Sequence, residues 1–134
     1  MLRKWPAALL TDRACVKDYE LKYDDKTFKF EKGINFSIPI YSFHRDPQYF
    51  PDPEKFDPER FNDENRGNID PDTYLPFGIG PRNCIGSRFA LMELKTIFYY
   101  LLLSFKFEVC AKTQIPIKFA LKTEKGVHIS FVPL

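Results

Sequence analysis

Apolar and polar residues change their rhythm four times along this chain. "VKDYELKY" (16–23) and "KTFKFEKG" (26–33) alternate the two kinds, as half-buried strands do. "GINFSIPIYSF" (33–43) gives a third strand signal, with Pro39 marking an edge or an end. Residues 16–41 are therefore expected to form a small antiparallel sheet. From 46 to 76, "DPQYFPDPEKFDPERFNDENRGNIDPDTYLP" keeps neither period. It holds six prolines, many acids and spaced aromatics (Tyr49, Phe50, Phe56, Phe61, Tyr74). Those rings predict an ordered meander pinned to a core rather than a loose loop.

A helical period follows from Ile85 to Leu103. Ala90, Leu94, Ile97, Leu101 and Phe105 recur at three- and four-residue steps, with Phe98 and Leu102 beside them. Ser87, Arg88, Glu93 and Lys95 lie off that stripe. Three strand-like runs close the chain: "FKFEV", "IPIKFAL" and "GVHISFV". At the other end, Met1 to Trp5 reads as the last turn of an amphipathic helix stopped by Pro6, with no N-cap before it. The expected architecture is α+β: a central helix between small sheets, with the N-terminus reading as truncated.

Composition narrows the chemistry. The chain has 134 residues, 44% hydrophobic and 16% aromatic, which predicts a packed core and excludes disorder. A net charge of +2 gives no electrostatic footprint for nucleic acid. Cys15, Cys84 and Cys110 form no CxxC pair, so neither a disulfide framework nor a zinc knuckle is expected. The longest apolar run, "IFYYLLLSF", falls short of the ~20 residues that span a bilayer. "NFS" at 35–37 has the form of a glycosylation acceptor, but it lies in a predicted strand without a secretory signal and is taken as chance.

The chemistry-bearing stretch is "FGIGPRNCIG" (77–86), one cysteine among three glycines, a proline and an arginine. It lacks the third glycine of a dinucleotide fingerprint and the lysine of a phosphate-binding loop. A nucleophilic cysteine would need His44 or His128, and neither is near in sequence. A small buried residue at a strand-to-helix turn is the plainest reading. The remaining reading is a thiolate ligand. A helix opening at Cys84, together with Arg82, favours the thiolate form. One thiolate cannot hold zinc or an iron–sulfur cluster, yet it suffices as the single axial ligand of a haem.

The stretch resembles the F-x-x-G-x-R-x-C-x-G signature of the cytochrome P450 haem-thiolate monooxygenases at every fixed position. "PERF" (58–61) is similar to that family's meander motif, and "HRDPQYFPDPEKFDPERF" to the segment leading into it. "LRKWP" (2–6) resembles the end of its K helix, just after the glutamate of E-x-x-R. The likeness is strongest to the insect microsomal members and covers the whole chain, 1–134. It implies the C-terminal, haem-binding part of one mainly α cytochrome P450 domain: end of K helix, small sheet, meander, cysteine loop, L helix and terminal hairpin.

The resemblance also implies roles. Cys84 is the metal ligand of haem b, and no other residue of this segment is catalytic. Phe77, Gly78, Gly80, Arg82, Ile85, Gly86 and Ala90, with Arg13 of "TDRAC", are the cofactor contacts. Ala7, Ala8 and Leu9 fall at substrate positions, and Arg3 and Arg60 belong to a salt-bridged triad whose glutamate lies upstream. The implied partners are O₂, an apolar small molecule and a reductase that draws on NADPH. Arg88 and Lys95 are either docking residues for that reductase or a solvated helix face. The implied location is the cytosolic face of the endoplasmic reticulum membrane, through an upstream anchor. The isolated chain is expected to lack turnover. The competing expectation is a non-enzymatic haem-binding or interaction module.

Overall fold

The computed structural model describes residues 1–110 and 127–134. The chain divides into two compact units, Met1–Ile79 and Gly80–Leu134.

The first unit opens on a single helical turn, closed by Trp5 N–H on the Met1 carbonyl (3.0 Å), and no longer helix is formed there. Two two-stranded antiparallel sheets follow, in place of the one sheet expected over 16–41. β2 (Tyr19–Tyr23) and β3 (Lys26–Phe30) make the hairpin that alternation predicted, in the register Tyr19↔Phe30, Leu21↔Phe28, Tyr23↔Lys26. Asp24 turns it at φ 51°, a left-handed conformation that aspartate tolerates better than most residues. The third predicted strand, β4 (Asn35–Ile38), pairs instead with β1 (Thr11–Ala14). Hydrogen bonds from Cys15 N–H to Ile34 O and from Gly33 N–H to Cys15 O extend that ladder around the base of the hairpin.

Strand signal does not continue past Pro39. Proline has no N–H for a ladder, and Ile40–Phe43 turn into a short helix, α1. Tyr41 N–H ties α1 to Leu9 O at 2.9 Å. The meander then runs in 3-10 turns, Pro58–Phe61 and Arg66–Asn68, the first capped by the Asp57 side chain on Glu59 N–H. It is ordered, but its rings are not equally pinned: Phe50 is 1% exposed, whereas Phe56 is 63% exposed. Phe61 packs against Tyr74, the rings tilted and their centres 4.9 Å apart.

The core of this unit is not only apolar. Ile40, Phe50 and Leu75 are buried with Pro6, and so are Arg3, His44 and Thr73. Among the described residues only those three large apolar side chains are buried, so the packed core that composition predicts is far smaller than expected.

The second unit carries one long helix, α2 (Ser87–Ser104), which passes directly into β5 (Phe105–Val109). The helix begins at Ser87, not at Cys84 or Ile85, because Gly86 is its N-cap residue. β5 pairs antiparallel with β6 (Ile129–Pro133), and Phe107 lies opposite Phe131 with ring centres 5.3 Å apart. Leu134 N–H closes the edge on Ser104 O. Of the predicted stripe, Ala90, Leu94, Leu101 and Phe105 are half-buried, while Ile97 is exposed. His128 precedes β6 rather than lying in it, and "IPIKFAL" lies outside the described residues.

Candidate functional site

The cysteine stretch begins at the end of the first unit. Gly78 N–H bonds to Leu75 O (3.2 Å), and Gly78 takes φ +76°, the left-handed region that a Cβ penalises. Phe77 and Gly78 are half-buried.

In the second unit the stretch continues as a 3-10 turn, Gly80–Arg82, closed by Asn83 N–H on Gly80 O. Gly80 also has a left-handed φ of +75°. A Cβ built at Gly80 or Gly86 meets nothing within 4 Å, so the chain leaves open space beside both residues. Cys84 stands two residues before the N-cap, its thiol free and exposed. Ser87 N–H on Cys84 O and Ala90 N–H on Gly86 O bind the turn to the first helical residues. Next to the thiol in sequence, Ile85 is fully exposed, and Phe89 is 63% exposed. Arg82 is exposed as well.

This donor set limits what the site can hold. Among the described residues no group of three His, Cys, Asp or Glu side chains could bind a bare metal ion. A single sulfur flanked by open backbone and exposed apolar side chains is what a macrocycle with its own equatorial donors requires. The residues present therefore fit a haem.

The other predicted positions lie in the first unit. Arg13, in β1, donates to Thr11 Oγ1 (3.0 Å) and Asp12 O (2.7 Å), both in its own strand. Ala7 and Ala8 are exposed and Leu9 is half-buried, its carbonyl holding α1. Arg3 and Arg60 meet at neighbouring carbonyls of one turn. Arg3 donates to Pro53 O (2.6 Å), Lys55 O (3.2 Å) and His44 O (2.7 Å), while Arg60 donates to Asp52 O (3.0 Å). Asp52 sits at φ 49° in that turn.

Sequence reasoning did not foresee a third arginine here. Arg45 lies over the Tyr41 ring at 3.9 Å and pairs with Glu54 at 3.0 Å. Burial, then the charges of Arg60 and Arg45, lower the Arg3 pKa. The cations are incompletely answered: Arg45 Nη1 and Arg60 Nε are buried without a hydrogen-bond partner. Arg60 also lines a cavity of about 280 Å³ with Tyr49, Phe50, Asn65 and Ile69. The only local signal for Arg45 is its place beside His44 in "HRDP".

His44, weighed above as a partner for a cysteine nucleophile, is fully buried and engaged elsewhere. Its ring nitrogens face Arg3 O (3.1 Å) and Leu75 N–H (2.8 Å). Burial pushes its pKa down to about 4, with the cations Arg3 and Arg45 acting in the same direction and the bond to Arg3 O opposing them. It does not serve as a general base for Cys84.

Comparison with known proteins bears on the whole chain. The cytochrome P450 family profile matches residues 1–130. The chain is 55% identical to cytochrome P450 9e2 of Blattella germanica over 129 residues, 96% of this chain and 24% of that protein. It is 54% identical to cytochrome P450 9b2 of Drosophila melanogaster over 114 residues, 84% of this chain and 23% of that protein. Cytochrome P450 3A2 of Rattus norvegicus is 48% identical over 136 residues, covering 98% and 26% respectively. The chain thus spans about a quarter of the length of the curated relatives it matches.

Proposed function

The chain belongs to the cytochrome P450 family, and from that premise we propose that it is the haem-ligand segment of a monooxygenase acting on apolar small molecules. The observation that carries this reading is the free, exposed Cys84 thiol in a turn whose glycines leave room for a flat group. When bound, a thiolate-held haem supplies the chemistry that puts one atom of O₂ into a substrate. The electrons come from NADPH by way of a partner reductase.

The chain's own residues bind and orient. Cys84 would hold the haem iron through its thiolate. Phe77, Ile85 and Ala90 supply apolar contact, and Gly78, Gly80 and Gly86 let backbone approach closely. Arg82 and Arg13 would pair with the propionates, each charge-assisted bond then contributing about 1.5–3 kcal/mol. Ala7, Ala8 and Leu9 contribute an apolar wall to the substrate space. Arg3 and Arg60 hold the fold as two members of a triad that an acid completes. The buried, unanswered Arg60 Nε supports a further acceptor at this corner. Among the described residues no helix is long and apolar enough to cross a membrane.

The test is haem reconstitution of the 134-residue chain. A thiolate-type absorption band in the reduced carbon monoxide complex is expected. It disappears in Cys84→Ser and persists in Cys15→Ser. A band that survives Cys84→Ser overturns the assignment. With a reductase and NADPH added, this chain alone is expected to oxidise no substrate.

A further inference from the structure

Leu75 is the last fully buried residue before the cysteine stretch, 4% exposed, and its backbone belongs to no helix or strand. Its N–H is nonetheless bonded, to a side chain 31 residues away: His44 Nε2 at 2.8 Å. A nitrogen that accepts carries no proton, so the ring proton sits on Nδ1 and is donated to Arg3 O at 3.1 Å, across 41 residues. Arg3 in turn donates to the His44 carbonyl at 2.7 Å, which locks the pair from both sides. Leu75 O then accepts from Gly78 N–H at 3.2 Å. One imidazole thus links residue 3, residue 75 and the left-handed turn at Gly78.

We propose that His44 is a positioning residue. Held as the neutral Nδ1–H tautomer, it fixes Leu75 and, through the Leu75–Gly78 bond, the Phe77–Gly78 shoulder of the cysteine loop. The clause about the loop rests on the haem-ligand reading; the hydrogen-bonded strut does not.

The surroundings suit a neutral ring. Two cations, Arg3 and Arg45, act on it, and its aromatic neighbours are Tyr74 (5.3 Å) and Phe50 (6.3 Å). Glu54, the acid of this corner, pairs with Arg45 and is itself largely exposed. An imidazolium here would turn Nε2 into a donor facing the Leu75 N–H, leaving that buried amide unpaired.

The substitutions that separate positioning from packing are His44→Gln and His44→Asn. The glutamine carboxamide reaches the Nε2 position and accepts from Leu75. The asparagine carboxamide reaches only the Nδ1 position and keeps the bond to Arg3.

The experiment begins with nitrogen-detected imidazole NMR of the wild-type 134-residue chain at neutral pH. The Nδ1–H tautomer is expected, with Leu75 and Gly78 amides slow to exchange. An Nε2–H ring or a charged ring overturns the proposal without any variant. In His44→Asn, exchange at both amides accelerates about tenfold or more, the loss of one buried hydrogen bond, whereas His44→Gln stays within a few-fold of wild type. The affinity of Cys84 for added haem falls in the same order, Asn well below Gln. Equal losses in the two variants make His44 a packing residue and overturn the proposal. If haem uptake survives Cys84→Ser, the haem-ligand reading fails, and ring tautomer and amide exchange still decide the strut.

Discussion

The corner around Arg3 and His44 and the surface around Cys84 are built on opposite plans. In the first, Arg3 is 3% exposed and answers three carbonyls, His44 is fully buried with both ring nitrogens used, and Phe50 packs under them at 1% exposure. In the second, Cys84 is free, Ile85 is fully exposed and Phe89, Tyr99 and Tyr100 are each more than 60% exposed. The first region satisfies its polar groups largely from within its own unit. The second leaves apolar side chains and one soft donor exposed. Residues that hold the segment's shape are thus distinct from those proposed to receive a cofactor.

The largest expected effect lies in the closed corner. Arg3→Ala removes three hydrogen bonds and leaves the carbonyls of His44, Pro53 and Lys55 without their donor. A loss of about 3 kcal/mol or more is expected in urea unfolding of the 134-residue chain, since each buried carbonyl left without its donor costs about 1–3 kcal/mol. Phe50→Ala is expected to cost a similar ~3–5 kcal/mol through the cavity it leaves. A loss below 1 kcal/mol in both would erase the distinction between the two regions.

Acid comes next. His44 titrates near 6.5 when unfolded and about 4 when folded, so between these values the unfolded chain binds the extra proton. Its contribution is complete above pH 6.5 and is lost as pH falls toward 4. That lowering corresponds to about 3 kcal/mol. Unfolding free energy measured from pH 7 to pH 4 should fall by about that amount more in wild type than in His44→Gln, which has no proton to gain. Parallel profiles would contradict the buried neutral ring.

How much of this was legible beforehand follows the same division. The cysteine stretch declares itself through fixed residue types at fixed spacing, and the β2–β3 hairpin through alternation, because both signals are local. β1 was not foreseen: "TDRA" is four residues with no period of its own and becomes a strand only against β4, more than twenty residues later. Ile40–Phe43 carry β-forming side chains, but Pro39 breaks the ladder and Leu9 O takes up Tyr41 N–H, so the chain turns helical. The helix starts at Ser87 because Gly86 occupies the N-cap position. Least legible was the closed corner. Arg3 was legible only through the likeness of "LRKWP" to the end of a K helix, and nothing within ten residues of His44 says that it is buried, because its ring and carbonyl partners lie 31 to 41 residues away.

The smallest expected effect sharpens the comparison most. Phe89 and Phe50 are the same residue type, 63% and 1% exposed respectively. Phe89 lies in the first turn of α2, where alanine is the better helix former by a few tenths of a kcal/mol. Phe89→Ala therefore removes little buried area, recovers some helix propensity and should change stability by less than about 0.5 kcal/mol in the same urea titration. If Phe89 instead belongs to the surface that receives haem, its truncation acts only when the cofactor is present, weakening haem retention while the apo chain unfolds as before. A loss of several kcal/mol in the apo chain would mean that this ring is already covered in solution, and the open region would then be closed by the chain itself. The contrast between Phe50 and Phe89 thus reduces to one pair of alanine substitutions, read with and without haem.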